Sequence, residues 1–169
     1  AGGSTDAYLR GWPLDSGEPG LDWPEGWAPR PDAFRSGIDL TTADLAPGEL
    51  DLIQEWLRSA YGEEPEYAAV LARLHPSAYK AQRARFESAL GKTLPVQMAP
   101  LCMLHLAAMR LWQKPMLRAA QLARSLGVER PHVVATLFWA AMYADEMVLE
   151  TAVDTLGPLL DAWGEPTAS

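Results

Sequence analysis

Cys102 and His105 stand three residues apart in the apolar run from Leu101 to Leu111 of this 169-residue chain. On a helix that spacing puts both side chains on one face, where a thiolate and an imidazole can act as nucleophile and base. Among Leu101, Met103, Leu104 and Leu106, the same thiol also reads as a small packed hydrophobe. His105 is the stronger candidate of the two. An imidazole in an apolar helix needs a hydrogen-bond partner, and its ordinary pKa lies near the working pH of an acid–base catalyst. A second stripe, Trp139, Tyr143 and Glu146, advances in steps of four and three. Tyr143 could donate a hydrogen bond to a developing enolate oxygen while His105 or Glu146 moves the proton. Asp145 reads first as an N-cap, and Glu146 as a residue favoured by the dipole of the helix it opens. Cys102, Trp139, Met142 and Asp145 complete the expected site as substrate contacts.

Other chemistries find less support. His75 precedes a proline at a helix boundary and His132 lies in a first helical turn, so the three histidines give no metal-ligand spacing. A single cysteine excludes an internal disulfide and a thiolate cluster within one chain. The chain has no Gly-rich phosphate loop and no Gly-x-Ser-x-Gly elbow, and no cofactor is expected. Lys80, Arg83 and Arg85 read as a solvated face, with a clamp for a carboxylate as the alternative. The formal charge of −8 repels phosphate backbones and anionic lipid, which argues against nucleic-acid and membrane partners. No apolar run reaches the roughly 18 residues of a membrane span, and Ala1 to Trp12 lacks the pattern of a signal peptide. A reducing, cytoplasmic location is expected.

The elements that must position these residues divide near residue 45. Residues 1–44 read as an irregular arm. Its first 43 residues hold three of the seven tryptophans and five of the fourteen prolines. Proline withholds helical donors and torsions, whereas tryptophan repays docking with a large buried area. The arm is therefore expected to lie on a surface, its own or a neighbouring subunit's. Residues 45–169 read as about seven helices. Leu50, Ile53, Trp56 and Leu57 mark the first, stopped by Gly62; Glu64 to Leu74 and Pro76 to Leu90 give the next two. Pro95 to Leu111 is apolar around most of its circumference and is expected to be the buried central helix. A break at Gln113-Lys114-Pro115 precedes a short helix from Met116 to Leu126, ended by Gly127. Two more begin near Pro131 and Glu146, the last with a kink expected at Gly157-Pro158. No stretch alternates as a half-buried strand does, so the fold class is all-α.

The segment from Met116 to Trp163 resembles the core of the carboxymuconolactone decarboxylase and alkylhydroperoxidase D-like superfamily. The resemblance rests on a helix ending in Ala-x-x-x-Gly, here Ala123 to Gly127, followed by Val128 and the charged pair Glu129-Arg130. An apolar helix then closes in a Tyr-small-Gly-like turn, here Tyr143-Ala144-Asp145, and Pro95 to Leu111 stands where the family has its central helix. It implies an all-α subunit assembled as a trimer or hexamer, with neighbouring helices walling the pocket. The peroxidases' Cys-x-x-Cys is missing from Pro115 to Ala119, and a dithiol cycle needs two thiols within disulfide reach. Ala119 and Trp139 replace histidines of the decarboxylases.

The expectation is therefore a cofactor-free lyase, decarboxylase or isomerase acting on a small organic acid or lactone. His105 would be its base, Tyr143 its oxyanion donor and Glu146 an orienting carboxylate. The alternative is a non-catalytic oligomeric binding or structural protein on the same scaffold.

Overall fold

The computed structural model describes residues 23–164. Among them are seven α-helices and no strand: α1 Glu49–Tyr61, α2 Glu66–Leu74, α3 Pro76–Ala89, α4 Met98–Met109, α5 Gln113–Ser125, α6 Arg130–Tyr143 and α7 Met147–Asp161. Several follow from a stripe of apolar residues at helical spacing. In α1, Ile53, Leu57 and Ala60 are buried; in α6, Val133, Leu137 and Ala140 are. Gly127, at φ +77, takes the left-handed conformation that turns the chain after α5.

Some boundaries differ from the sequence reading. Gln113, Lys114 and Pro115 do not separate two helices; they form the first turn of α5, where proline's missing N–H has no intrahelical acceptor to lose. Residues 95–97 form a turn ahead of α4. In α7, Pro158 lies within a continuous helix that runs on to Asp161.

Packing is organised around three connected cores. Helices α4 to α7 enclose the largest, with Leu104, Met116, Ala120, Val133, Leu137 and Leu156 among its members. Helices α1 to α3 and the chain before them enclose a second, around Ile38, Ile53, Leu57 and Ala68. Phe34, Ala60, Val96 and Leu122 fill the seam. The described part of the arm, residues 23–44, lies on its own chain; Trp12 and its neighbours fall outside the described residues. Trp27 packs against the His132 ring at 5.0 Å, Phe34 is fully buried in a single 3-10 turn, Pro31–Phe34, and Val96 donates its N–H to the Ala28 carbonyl at 3.1 Å. Gly91 makes room for this strap. A Cβ there would sit 2.8 Å from the Arg30 carbonyl oxygen and 3.1 Å from the Phe34 ring, and its φ is +80.

The basic run on α3 is not a solvated face. Arg85 is exposed, but Lys80 and Arg83 are buried. Lys80 Nζ lies 2.7 Å from the Glu49 carboxylate and also donates to Thr42 Oγ1 and the Asp44 carbonyl. That carboxylate accepts the N–H groups of Asp39 and Ala46, each at 2.7 Å. The Lys80 ammonium, aided by the Ala46 N–H, holds Glu49 below the usual carboxylate pKa. Arg83 Nε pairs with Glu87 at 2.7 Å, and its NH2 donates to the Phe34 carbonyl. Glu87 accepts in addition the N–H and hydroxyl of Ser36. Buried charges persist when paired and hydrogen-bonded, and here the pairing clips residues 34–46 to the bundle.

Candidate functional site

The expected catalytic stripe assembles in part. Helix α4 packs against α6, which brings the His105 ring edge-on to Tyr143 with centroids 6.4 Å apart and planes at 77°. Trp139, one turn earlier on α6, stacks on Tyr143 at 6.2 Å and 19°. His105 is half-buried, and it has no hydrogen-bond partner among the described residues. Its ring nitrogens are not among the buried unpartnered atoms, so they reach the surface.

The remaining members stay apart. Glu146 is exposed at the head of α7 and makes no ion pair with His105. Asp145 accepts the Met147 N–H at 3.0 Å, but it stands one residue before the N-cap of α7, which is Glu146 and carries no side-chain cap hydrogen bond. Cys102 is exposed rather than packed, and no hydrogen bond joins it to His105. Met142 is 75% exposed and Tyr143 69%.

These exposures correct the reading of α4 as a helix buried all round. One side, Leu101, Leu104, Ala107 and Ala108, is buried; the other turns Cys102, Leu106 and Met109 to the surface. Phe138, Trp139, Met142 and Tyr143 are exposed on the neighbouring α6, as are Leu111 and Trp112 in the turn after α4. The imidazole and phenol thus lie in an open apolar face. Apolarity around a whole helix predicts that both sides will be covered; it does not say by which chain.

A small cleft of about 70 Å³ opens elsewhere, among α1, α2 and α3. Tyr61, Tyr67, Tyr79, Gln82, Arg83 and Phe86 line it. Sequence reasoning missed this cleft. Its trace was Tyr79, Arg83 and Phe86 at steps of four and three on α3, read there as helix periodicity only. Burial pushes the Tyr61 hydroxyl up to about 12 and Tyr79 higher still, so both are neutral phenols at ordinary pH.

Among the described residues no group of three His, Cys, Asp or Glu side chains is placed to hold a metal ion, and no helix is long and apolar enough to cross a membrane. No family model, curated protein or solved structure matches this chain. Chemically, the α4–α6 face offers a proton acceptor and a phenolic donor side by side on an apolar ground. That combination suits proton transfer next to a carbonyl once water is excluded.

Proposed function

We propose that this chain is one subunit of a homo-oligomer, a trimer or hexamer, whose neighbours close the α4–α6 face into an apolar pocket. There a small organic acid or lactone undergoes cofactor-free lyase, decarboxylase or isomerase chemistry. His105 takes the proton and Tyr143 hydrogen-bonds the oxyanion that develops on the substrate. Trp139, Met142 and Cys102 supply the apolar walls, and Glu146 stands at the rim.

The observation that carries this reading is the His105–Tyr143 pair: an imidazole free of protein partners, in edge contact with a phenol, within an exposed apolar face. The resemblance of residues 116–163 to the decarboxylase-like superfamily supports it, because that scaffold builds its pockets between subunits. An exposed free thiol at Cys102 suits a reducing compartment, so the proposal includes a cytoplasmic location.

A panel of small acids and lactones, followed by loss of absorbance or release of carbon dioxide, tests the activity. His105→Gln should abolish turnover and leave the melting temperature within a few degrees of the parent, since the ring makes no structural hydrogen bond. Unchanged turnover removes His105 from the chemistry. A second reading, a non-catalytic assembly in which Trp139 and Met142 of facing copies fill the space, is favoured by how far those two side chains project. It predicts an oligomer that turns over no member of the panel.

A further inference from the structure

We propose that residues 8–14 of the arm dock on the α4–α6 face of their own chain and compete with neighbouring copies for it. The competition rests on the oligomer proposed above; the docking does not. The strap fixes where the arm arrives. Val96, just ahead of α4, donates to the Ala28 carbonyl, and Trp27 packs on His132 in the first turn of α6. Trp27 also donates its N–H to the Pro24 carbonyl at 3.0 Å, so a tight turn keeps residue 24 beside it. The strap therefore crosses the starts of both helices. Nine residues beyond Val96 and eleven beyond His132, the rings of His105 and Tyr143 meet, so α4 and α6 run side by side in one direction. His132, Trp139 and Tyr143 lie about two and three turns apart on one side of α6. Trp27 covers the first of them, and the other two are 54% and 69% exposed. The chain before Trp23 thus enters at the head of the open apolar face.

The sequence of the arm suits that face. Residues 8–14 read Tyr-Leu-Arg-Gly-Trp-Pro-Leu, and Tyr8, Leu9, Trp12 and Leu14 gain by leaving water. From His132 to Tyr143 the face is about 17 Å long. The nine steps from Leu14 to Trp23 span up to about 30 Å, so the segment reaches every part of it. Charge sets the direction. Asp15, Glu18 and Asp22 stay near the N-terminal ends of α4 and α6, where helix dipoles favour acids. Arg10, the one Lys or Arg of residues 1–22, falls toward Asp145 and Glu146, which are exposed just past Tyr143. A segment tied to its own chain acts at high effective concentration. In a dilute single chain the arm holds the face, and a neighbouring copy has to displace it.

Cys102, the chain's one cysteine and exposed on the α4 side of this face, reports on the cover. The full chain is alkylated with N-ethylmaleimide at dilutions where light scattering shows single chains, and the parent is compared with the double variant Trp12→Ser/Leu14→Ser. The parent thiol should react about tenfold more slowly, with equal helix content in both proteins. Because docking removes most faces from assembly, the double variant should also oligomerise at about a tenfold lower concentration. Equal alkylation rates overturn the proposal. So does protection that appears only as the particle mass rises, since the cover is then another copy. Assembly of parent and variant at the same concentration overturns it as well, because arm and neighbour would then use different surfaces, and so does a parent that is assembled at every measurable dilution. A parent that stays single at all concentrations, with Cys102 protected by Trp12 and Leu14, supports the docking and removes the oligomer, so the two readings fail separately.

Discussion

Arg83 shows how much one side chain can hold together. Its Nε pairs with Glu87 and its NH2 donates to the Phe34 carbonyl, while its guanidinium carbon lies 3.7 Å from the Trp56 ring centre and 5.0 Å from that of Phe86. Replacing it with methionine keeps the bulk but leaves the Glu87 carboxylate buried without its cation. Arg83→Met should therefore cost about 3–5 kcal/mol of stability in urea unfolding. Arg83→Met with Glu87→Gln should recover part of that loss, because the neutral amide still accepts from Ser36 and carries no stranded charge. If the double variant is no more stable than the single one, the stacking on Trp56 and Phe86 outweighs the ion pair. Lys80, Arg83 and Arg85 read in the sequence as ordinary exposed charge, although Arg83 and Glu87 stand at the i, i+4 spacing of a helical ion pair. The other partners, Glu49 for Lys80 and the Phe34 carbonyl for Arg83, lie 31 and 49 residues away, and local spacing carries no record of such contacts.

At the scale of elements the sequence was far more informative. All seven helices were located, most from apolar residues three and four apart, since a stripe of that period has no other efficient way to leave water, and the others from all-round apolarity or proline and glycine boundaries. It failed where one signal has two physical outcomes. Pro115 can end a helix or begin one. The all-round apolarity of α4 can mean burial within the subunit or cover from outside, and so Cys102 and Leu106 were expected inside but lie exposed. Glu146 and His105 were both singled out, yet the turn between α6 and α7 leaves them unpaired. Gly91, left-handed just past the end of α3, also lets the Arg30–Phe34 turn approach that end. Gly91→Ala must bear a left-handed φ worth about 1–2 kcal/mol in addition to the contact with the Arg30 carbonyl. A thermal melt should show a loss of at least that size, whereas alanine at Gly157, where a Cβ would meet nothing within 4 Å, should be tolerated or stabilising.

For the whole molecule, the decisive feature is that α4 and α6 present a group of large apolar side chains to solvent, Leu106, Phe138, Trp139, Met142 and Tyr143 among them. Such a patch marks a docking surface. A charge placed at its most exposed residue would have to be buried unpaired in any assembly built on it. Met142→Glu should accordingly reduce the particle mass in light scattering to that of a single chain, while helix content stays unchanged, because residue 142 packs little on its own subunit. A parental mass would mean that assembly uses another face. The ring contact between positions 105 and 143 is made within one chain, and this fixes how an assembly behaves when its copies are not identical. In the proposed assembly neighbours would contribute shelter, and each copy would keep its own acid–base pair. Mixing chains damaged at 105 with chains damaged at 143 would then restore nothing, and rate would track the fraction of intact copies.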